Sequence, residues 1–282
     1  MKNTNTKTWP FFLVMVFFFL FLSAGCTALK LNSTWKRNQI IVDGDSSDWI
    51  ENMFYLESKK VLLGIRNDSE YFYMCMIMEE SSLRDQMMRN GFILWFDPDG
   101  GKDKFFGIKF PLGMNPENRE APPPERAAKR EDLDFDRDRD QNKFKEFFEN
   151  IPSEIEILSS KKEPGQRVPM EEAKGIDVRL KALSGIMVYE IKVPLKEDDD
   201  HPFAVNAELE DSIGLCLEIP KMKDEDTMQG RRPSGMRGGM PPGGGMGGGR
   251  GPGGGIGSMS QPKGMNIWFI VTLTANGSSV SL

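Results

Sequence analysis

The chain has 282 residues, 39% of them hydrophobic and 28% charged, with a formal net charge of -6 at pH 7. This apolar fraction is sufficient for a folded core and excludes a disordered chain. Acidic and basic residues are mixed along the sequence, so a nucleic-acid-binding surface is excluded as well. One histidine and three cysteines do not provide the clusters that a zinc site needs, and a Ser-His-Asp relay would have to use the single histidine, His201.

The N-terminus has the pattern of a secretory signal. Lys2 and Lys7 precede an apolar run from Phe11 to Leu22, and the small residues 23–25 then lead to Cys26. This order resembles the lipobox of bacterial lipoproteins, in which the signal is cleaved and the new N-terminal cysteine carries a lipid. The resemblance implies a signal peptide over residues 1–25, a lipid on Cys26 and a partner in the membrane.

The same resemblance implies a location in the bacterial cell envelope, facing the periplasm or the exterior. Thr27 follows the cysteine where an inner-membrane retention signal would have Asp, which favours the outer membrane. An uncleaved membrane helix from Trp9 to Leu29 is the alternative. Residues 26–38 are polar and short, and we interpret them as a tether.

From Gln39 onward the chain alternates strand-forming runs with turns. A short strand is predicted over Gln39–Val42, and a hairpin over Val61–Arg66 and Glu70–Met78, because Asn-Asp-Ser separates two β-rich runs. Both faces of the second hairpin strand are apolar, which predicts a central, buried strand. Further strands are predicted at Phe92–Phe96, Lys104–Phe110, Glu154–Leu158, Asp177–Ala182, Ile186–Leu195, Ile213–Ile219 and Asn266–Thr274.

Two long irregular excursions interrupt this pattern. Residues 112–150 are rich in proline and charge and contain one predicted short helix at Gln141–Asn150. Residues 221–264 are rich in Gly, Met, Pro and Arg, a composition that predicts disorder, and they join two neighbouring strands. Their methionines could bind Cu(I), but a flexible spacer is the simpler interpretation. The predicted fold is an all-β, antiparallel β-sandwich over residues 39–282.

Two stretches together resemble family 9 carbohydrate-binding modules and their DOMON-like relatives. The first is Gln39–Trp49, a short strand followed by Asp43-Gly44 and then Asp48-Trp49. The second is Gly185–Leu195, a late strand that contains Glu190 and ends in an apolar-Pro step. The resemblance implies a β-sandwich that binds glycans and sometimes calcium, with packing roles for Trp49 and Glu190. Some relatives hold haem, for which only His201 would be available here.

These features predict a membrane-anchored, extracytoplasmic glycan-binding protein that is not an enzyme. A structural or assembly lipoprotein that contacts an envelope protein is one alternative, and a polysaccharide hydrolase or its accessory domain is another. Glycan recognition needs exposed aromatic rings beside polar groups. Core packing is expected for Trp49, Trp95 and Trp268, so no carbohydrate-binding residue is assigned. No acid–nucleophile pair of carboxylates stands out either.

Two smaller sites are considered on the predicted strands. Asp97, Asp99 and Asp103 lie on a Gly-rich turn that could hold Ca²⁺, although a hairpin turn without metal is favoured. Cys75 and Cys216 lie in predicted strands, and outside the cytoplasm they could form a disulfide. Two buried free thiols are the favoured alternative, because strand pairing cannot be read from the sequence.

Overall fold

The computed structural model describes residues 28–114, 147–148, 151–160, 162–183, 185–221 and 264–276. Within these ranges the chain is mostly β-strand, with one α-helix longer than a turn, α1 (Ser81–Asn90). The strands are β1 (Leu29–Asn32), β2 (Thr34–Trp35), β3 (Phe54–Leu56), β4 (Val61–Asn67), β5 (Tyr71–Met78), β6 (Ile93–Asp97), β7 (Phe106–Lys109), β8 (Glu154–Ser159), β9 (Lys162–Pro169), β10 (Asp177–Leu183), β11 (Ile186–Pro194), β12 (Ser212–Ile219) and β13 (Met265–Thr272).

Two sheets pack face to face and confirm the all-β sandwich. The seven-stranded sheet has the order β1-β13-β12-β6-β7-β8-β9, and the six-stranded sheet has the order β10-β11-β5-β4-β2, with β3 also paired to β4. Alternate residues of each central strand point into one shared core, as the period of a strand requires. In β5 these are Phe72, Met74, Met76 and Met78, while Tyr71, Tyr73, Cys75 and Ile77 point outward.

The sheets are mixed rather than purely antiparallel, because the N-terminal strands enter both of them. β1 pairs parallel to β13 in one sheet, and β2 pairs parallel to β4 in the other. Residues from Leu29 to Trp35, predicted as part of a tether, are therefore built into the sandwich. The predicted strand at Gln39–Val42 is instead irregular chain, because it lies over the six-stranded sheet rather than pairing in it.

A buried polar junction fixes the chain where it passes from β1 in one sheet to β2 in the other. Ser33 lies between β1 and β2 and is fully buried with Asn67, the last residue of β4. Thr274 N–H donates to Asn67 Oδ1 at 3.0 Å and to Ser33 Oγ at 2.9 Å, and Asn67 Nδ2 donates to the Thr274 carbonyl at 2.9 Å. Ser33 Oγ also donates to Asn67 Oδ1. Since buried polar groups are costly unless satisfied, these bonds fix the junction at one geometry.

The helix α1 connects the two sheets across one end of the core. Leu83, Met87 and Met88 are buried on its inner side, and the helix packs on β5 and β12. It ends at Gly91, whose φ of 79° is a conformation that favours glycine and whose N–H donates to the Met87 carbonyl at 2.8 Å. The helix predicted at Gln141–Asn150 lies outside the described residues except at Phe147 and Phe148, which are helical and pack on the core.

Candidate functional site

The outer face of the six-stranded sheet is closed by the segment from Gln39 to Met53. Trp49 lies flat over Gly64 of β4, where an added Cβ would come within 2.6 Å of the indole. The indole N–H donates to Glu190 Oε1 at 2.6 Å, and Glu190 Oε2 accepts the backbone N–H groups of Asp43 at 3.0 Å and Gly44 at 2.6 Å. The two stretches that carry the family resemblance therefore meet at one carboxylate.

This arrangement makes Glu190 a structural residue. Its side chain is fully buried in the middle of β11, and both carboxylate oxygens accept hydrogen bonds. Burial raises the pKa of Glu190 above its ordinary value of 4.5, and the hydrogen bonds to Gly44, Trp49 and Asp43 oppose that shift only in part. Trp49 is 1% exposed, so the packing role expected for it is confirmed. This face is covered and offers no open aromatic ring at Trp49.

The outer face of the seven-stranded sheet carries a row of apolar side chains in direct register. Trp268 of β13 is opposite Cys216 of β12, Cys216 is opposite Trp95 of β6, Trp95 is opposite Gly107 of β7, and Gly107 is opposite Leu158 of β8. The side chains in this row point away from the core between the sheets and form a separate small cluster with Ile93, while Gly107 leaves space for the neighbouring ring. We call this row the tryptophan strip.

Trp95 is fixed in place within the tryptophan strip. Its ring lies over Gly107, where an added Cβ would be 2.5 Å from the indole. Its indole N–H donates to Glu218 Oε2 at 2.7 Å, and Lys104 Nζ contacts the same oxygen at 2.6 Å while lying 5.3 Å from the ring centroid. A hydrogen bond, an ion pair and a cation–π contact thus hold one indole against the sheet.

Trp268 is the more open of the two indoles in the strip. Its side chain is only partly buried, and Asn266, two residues earlier on the same face, is exposed. One strand, β12, lies between it and Trp95, so their backbones are two strand spacings, about 10 Å, apart. An aromatic ring on the outer face of a sheet can stack against the CH face of a sugar, and an amide and a carboxylate–lysine pair beside it can hydrogen-bond the hydroxyls. Core packing was expected for both Trp95 and Trp268, but their places in β6 and β13 direct them to the outer face. There Trp95 is buried in the small cluster with Ile93 and Cys216, and Trp268 packs against it.

A polar cluster surrounds the exposed end of β5 on the opposite sheet. The Tyr71 hydroxyl is 3.0 Å from His201 Nε2, and His201 Nδ1 is 3.1 Å from Asp198 Oδ2. Tyr73 bonds Asp68 at 3.0 Å and Lys36 at 2.8 Å. Burial raises the pKa of Tyr73 to about 12. His201 packs on Gly175, where a Cβ would be 2.3 Å from the imidazole, so the ring holds neighbouring loops together.

The acidic turn after β6 has the geometry of a hairpin turn. Asp97 is buried, and its two oxygens accept the backbone N–H groups of Asp99 at 3.1 Å and Asp103 at 2.7 Å. The side chains of Asp99 and Asp103 are exposed. No group of three acidic, histidine or cysteine side chains in the described ranges is gathered so as to hold a metal ion. The carboxylate of Asp97 organises the loop backbone.

Cys75 and Cys216 are free and lie too far apart to pair. Each is fully buried on the outer side of its own sheet, Cys75 beside Trp49 and Cys216 beside Trp95. The sheets stack about 10 Å apart, and the two side chains point in opposite directions. The possible disulfide is therefore not formed, and the structure shows the favoured alternative of two buried free thiols, because the topology puts the core between them.

Other predicted features fall outside the described residues: Cys26, the apolar run before it, most of residues 112–150 and nearly all of residues 221–264. Among the residues that are described, no helix is both long and apolar enough to cross a membrane. No protein-family model matches the chain, and no curated protein matches it.

The tryptophan strip was not recognised from the sequence, although part of the signal is present. Trp95 and Glu218 each alternate with core residues in strands that were predicted correctly. Alternation alone places them on the outer face. Their meeting depends on the register between β6 and β12, which no local pattern encodes.

Proposed function

We propose that this protein is a membrane-anchored, extracytoplasmic glycan-binding protein without catalytic activity. The anchor is a lipid on Cys26 after removal of residues 1–25, in a bacterial cell envelope. The ligand lies on the outer face of the seven-stranded sheet, along the tryptophan strip. The observation that carries the glycan proposal is the partly exposed indole of Trp268, which has polar neighbours on the outer face of the sheet.

The shape of this face supports the proposal. Gly107 is in the row next to Trp95, and an added Cβ there would meet the indole. The ring therefore lies down on the sheet and leaves a shallow surface that suits an extended chain of sugar rings. Glu218 and Lys104 form an ion pair at 2.6 Å. They and Asn266 present acceptors and donors at the edge of that surface, the pairing that sugar hydroxyls require.

The surroundings of Glu190 and Glu218, the carboxylates that bind the Trp49 and Trp95 indoles, support the proposal that the protein is not an enzyme. Hydrolysis of a glycosidic bond needs an acid and a base or nucleophile in different environments on either side of the bond. Glu190 is fully buried with both oxygens bonded under the Gln39–Met53 segment. Glu218 is held by Trp95 and Lys104 on the other sheet. These two carboxylates lie on opposite outer faces and cannot act on one bond.

Binding to a panel of polysaccharides and oligosaccharides tests the proposal. The chain from residue 26 with Cys26→Ser should bind at least one member, and Trp268→Ala should weaken that binding about tenfold or more. Trp35→Ala is the matched control, because Trp35 is also partly exposed but lies at the edge of the other sheet. Release of reducing ends is measured in parallel and should stay at background.

Two outcomes would contradict this proposal. No binding across the panel would favour an assembly lipoprotein that acts through protein contacts. Sugar release abolished by substitution of one carboxylate would instead identify a hydrolase.

A further inference from the structure

The start of β1 leaves almost no chain between the sandwich and Cys26. Leu29 is already paired with Phe269 of β13, and only Thr27 and Ala28 stand between Leu29 and the cysteine. An extended chain advances at most about 3.3–3.6 Å per residue, so Cys26 lies within about 10 Å of Leu29. This bound is covalent and holds whatever conformation the linking residues adopt.

The direction of β1 selects the end of the sandwich that faces Cys26. β1 runs parallel to β13 and Leu29 is opposite Phe269, so the chain before Leu29 comes from the side of Met265, which begins β13 about 13 Å from that pair. Ile219, the last residue of β12, pairs with Met265 at the same end. Asn90 of α1 reaches this end too, donating from Nδ2 to the Pro220 carbonyl at 2.8 Å. We call it the α1 end.

The α1 end also gathers the chain positions that border the two long undescribed segments. Met114 N–H donates to the carbonyls of Met88 and Arg89 in α1 at 3.1 and 3.2 Å. Gly264 lies against the Ile219 carbonyl, where an added Cβ would be 2.6 Å away. Met114 is 38% exposed and Lys221 is exposed, an apolar and a basic group of the kind that a lipid headgroup region accepts.

We propose that the α1 end rests against the lipid bilayer, held there by the lipid on Cys26 through a linker of only two residues. The partner is a lipid surface, and the strands stand with the α1 end at the membrane. The opposite end, which carries the Asp97–Gly101 turn and the Ser33 junction, faces away from it. The inference rests on the lipidation of Cys26 in the proposed function and is independent of glycan binding.

Site-specific fluorescence quenching on the lipidated protein tests this orientation. Lys221→Cys reports on the α1 end and Asp99→Cys on the opposite end, and each is labelled with a thiol-reactive fluorophore. Both positions are exposed, whereas Cys75 and Cys216 are buried and remain unlabelled. The protein is inserted into phosphatidylcholine and phosphatidylglycerol vesicles that contain a lipid with a nitroxide in its headgroup. Quenching at position 221 should be at least twice that at position 99.

A linker insertion is the control for the short connection. A Gly-Ser insert of about 20 residues between Thr27 and Ala28 has a root-mean-square span of about 25 Å. It should remove most of the difference between the two positions.

Intact mass separates the two ways in which the proposal can fail. Equal quenching at both positions in protein whose mass includes the lipid overturns the orientation alone. Absence of lipid from Cys26 overturns the anchor in the proposed function, and this proposal with it.

Discussion

Glu190 has the strongest structural role of the single residues, because one buried carboxylate holds a turn and an indole together. In Glu190→Gln the amide NH₂ must face the N–H of Asp43 and Gly44 or that of Trp49, all of which are donors. The free energy of unfolding should fall by about 1–3 kcal/mol. Chemical denaturation at pH 7 measures the loss. Glu218→Gln is the matched control and should lose less, because its carboxylate is partly exposed to water.

The same residue predicts a pH dependence with a definite sign. Because burial raises the pKa of Glu190 above 4.5 in the folded protein, the folded state holds its proton more tightly than the unfolded state. Stability from this group is fully present below pH 4.5 and is lost as pH rises through the raised pKa. The wild type should therefore lose stability relative to Glu190→Gln as the pH rises above 4.5. A difference that does not change as the pH rises would contradict this assignment.

The contact between Gly107 and the Trp95 indole can be tested by substitution. Gly107→Ala would put a Cβ 2.5 Å from the Trp95 ring, and overpacking of this kind costs about 1–3 kcal/mol. Thermal unfolding should show the loss. In a Trp95→Leu background the same substitution should cost much less, since the ring it collides with is gone. Equal losses in both backgrounds would show that the contact with Trp95 is not the cause.

At the scale of elements, strands β1 and β2 extend the sandwich to Leu29, whereas the sequence predicted that it begins at residue 39. A chain that starts at Asn38 lacks β1 and β2 and leaves Asn67 and Thr274 without Ser33. We expect its free energy of unfolding, measured by chemical denaturation, to be lower by at least about 2 kcal/mol than that of a chain that starts at Ala28. Equal stability of the two chains would show that the crossing strands add nothing to the fold.

The elements also show what could be predicted from the sequence. Strands β4, β5, β11 and β12 have long alternating or fully apolar runs, and they were placed within a residue or two. β1 and β2 were missed because LKLN and TW are short and polar, and only distant partners make them strands. α1 was missed although Leu83, Met87 and Met88 have helical spacing and Gly91 marks the stop. That signal was readable, unlike the register that brings Trp95 to Glu218.

At the scale of the whole molecule, the core lies between Cys75 and Cys216. Each thiol is buried in a cluster of side chains on the outer face of its own sheet. Burial raises the pKa of Cys216 to about 12 and raises that of Cys75 as well. Both should resist a thiol reagent in the native state and react fully after denaturation. The melting temperature should be the same with and without a reductant. A fall in reductant would indicate a disulfide and contradict the described topology.

The pairing of β1 with β13 has a consequence for how the polypeptide folds. The first described strand lies beside the last one, so the seven-stranded sheet cannot be completed until nearly the whole chain has been synthesised. Contacts between such distant parts of a sequence are slow to form because a large loop must close first. Until then β1 has no partner in its sheet, and unpaired strands invite association between chains. We therefore expect β1 to be among the last strands to dock, although it is among the first to be made.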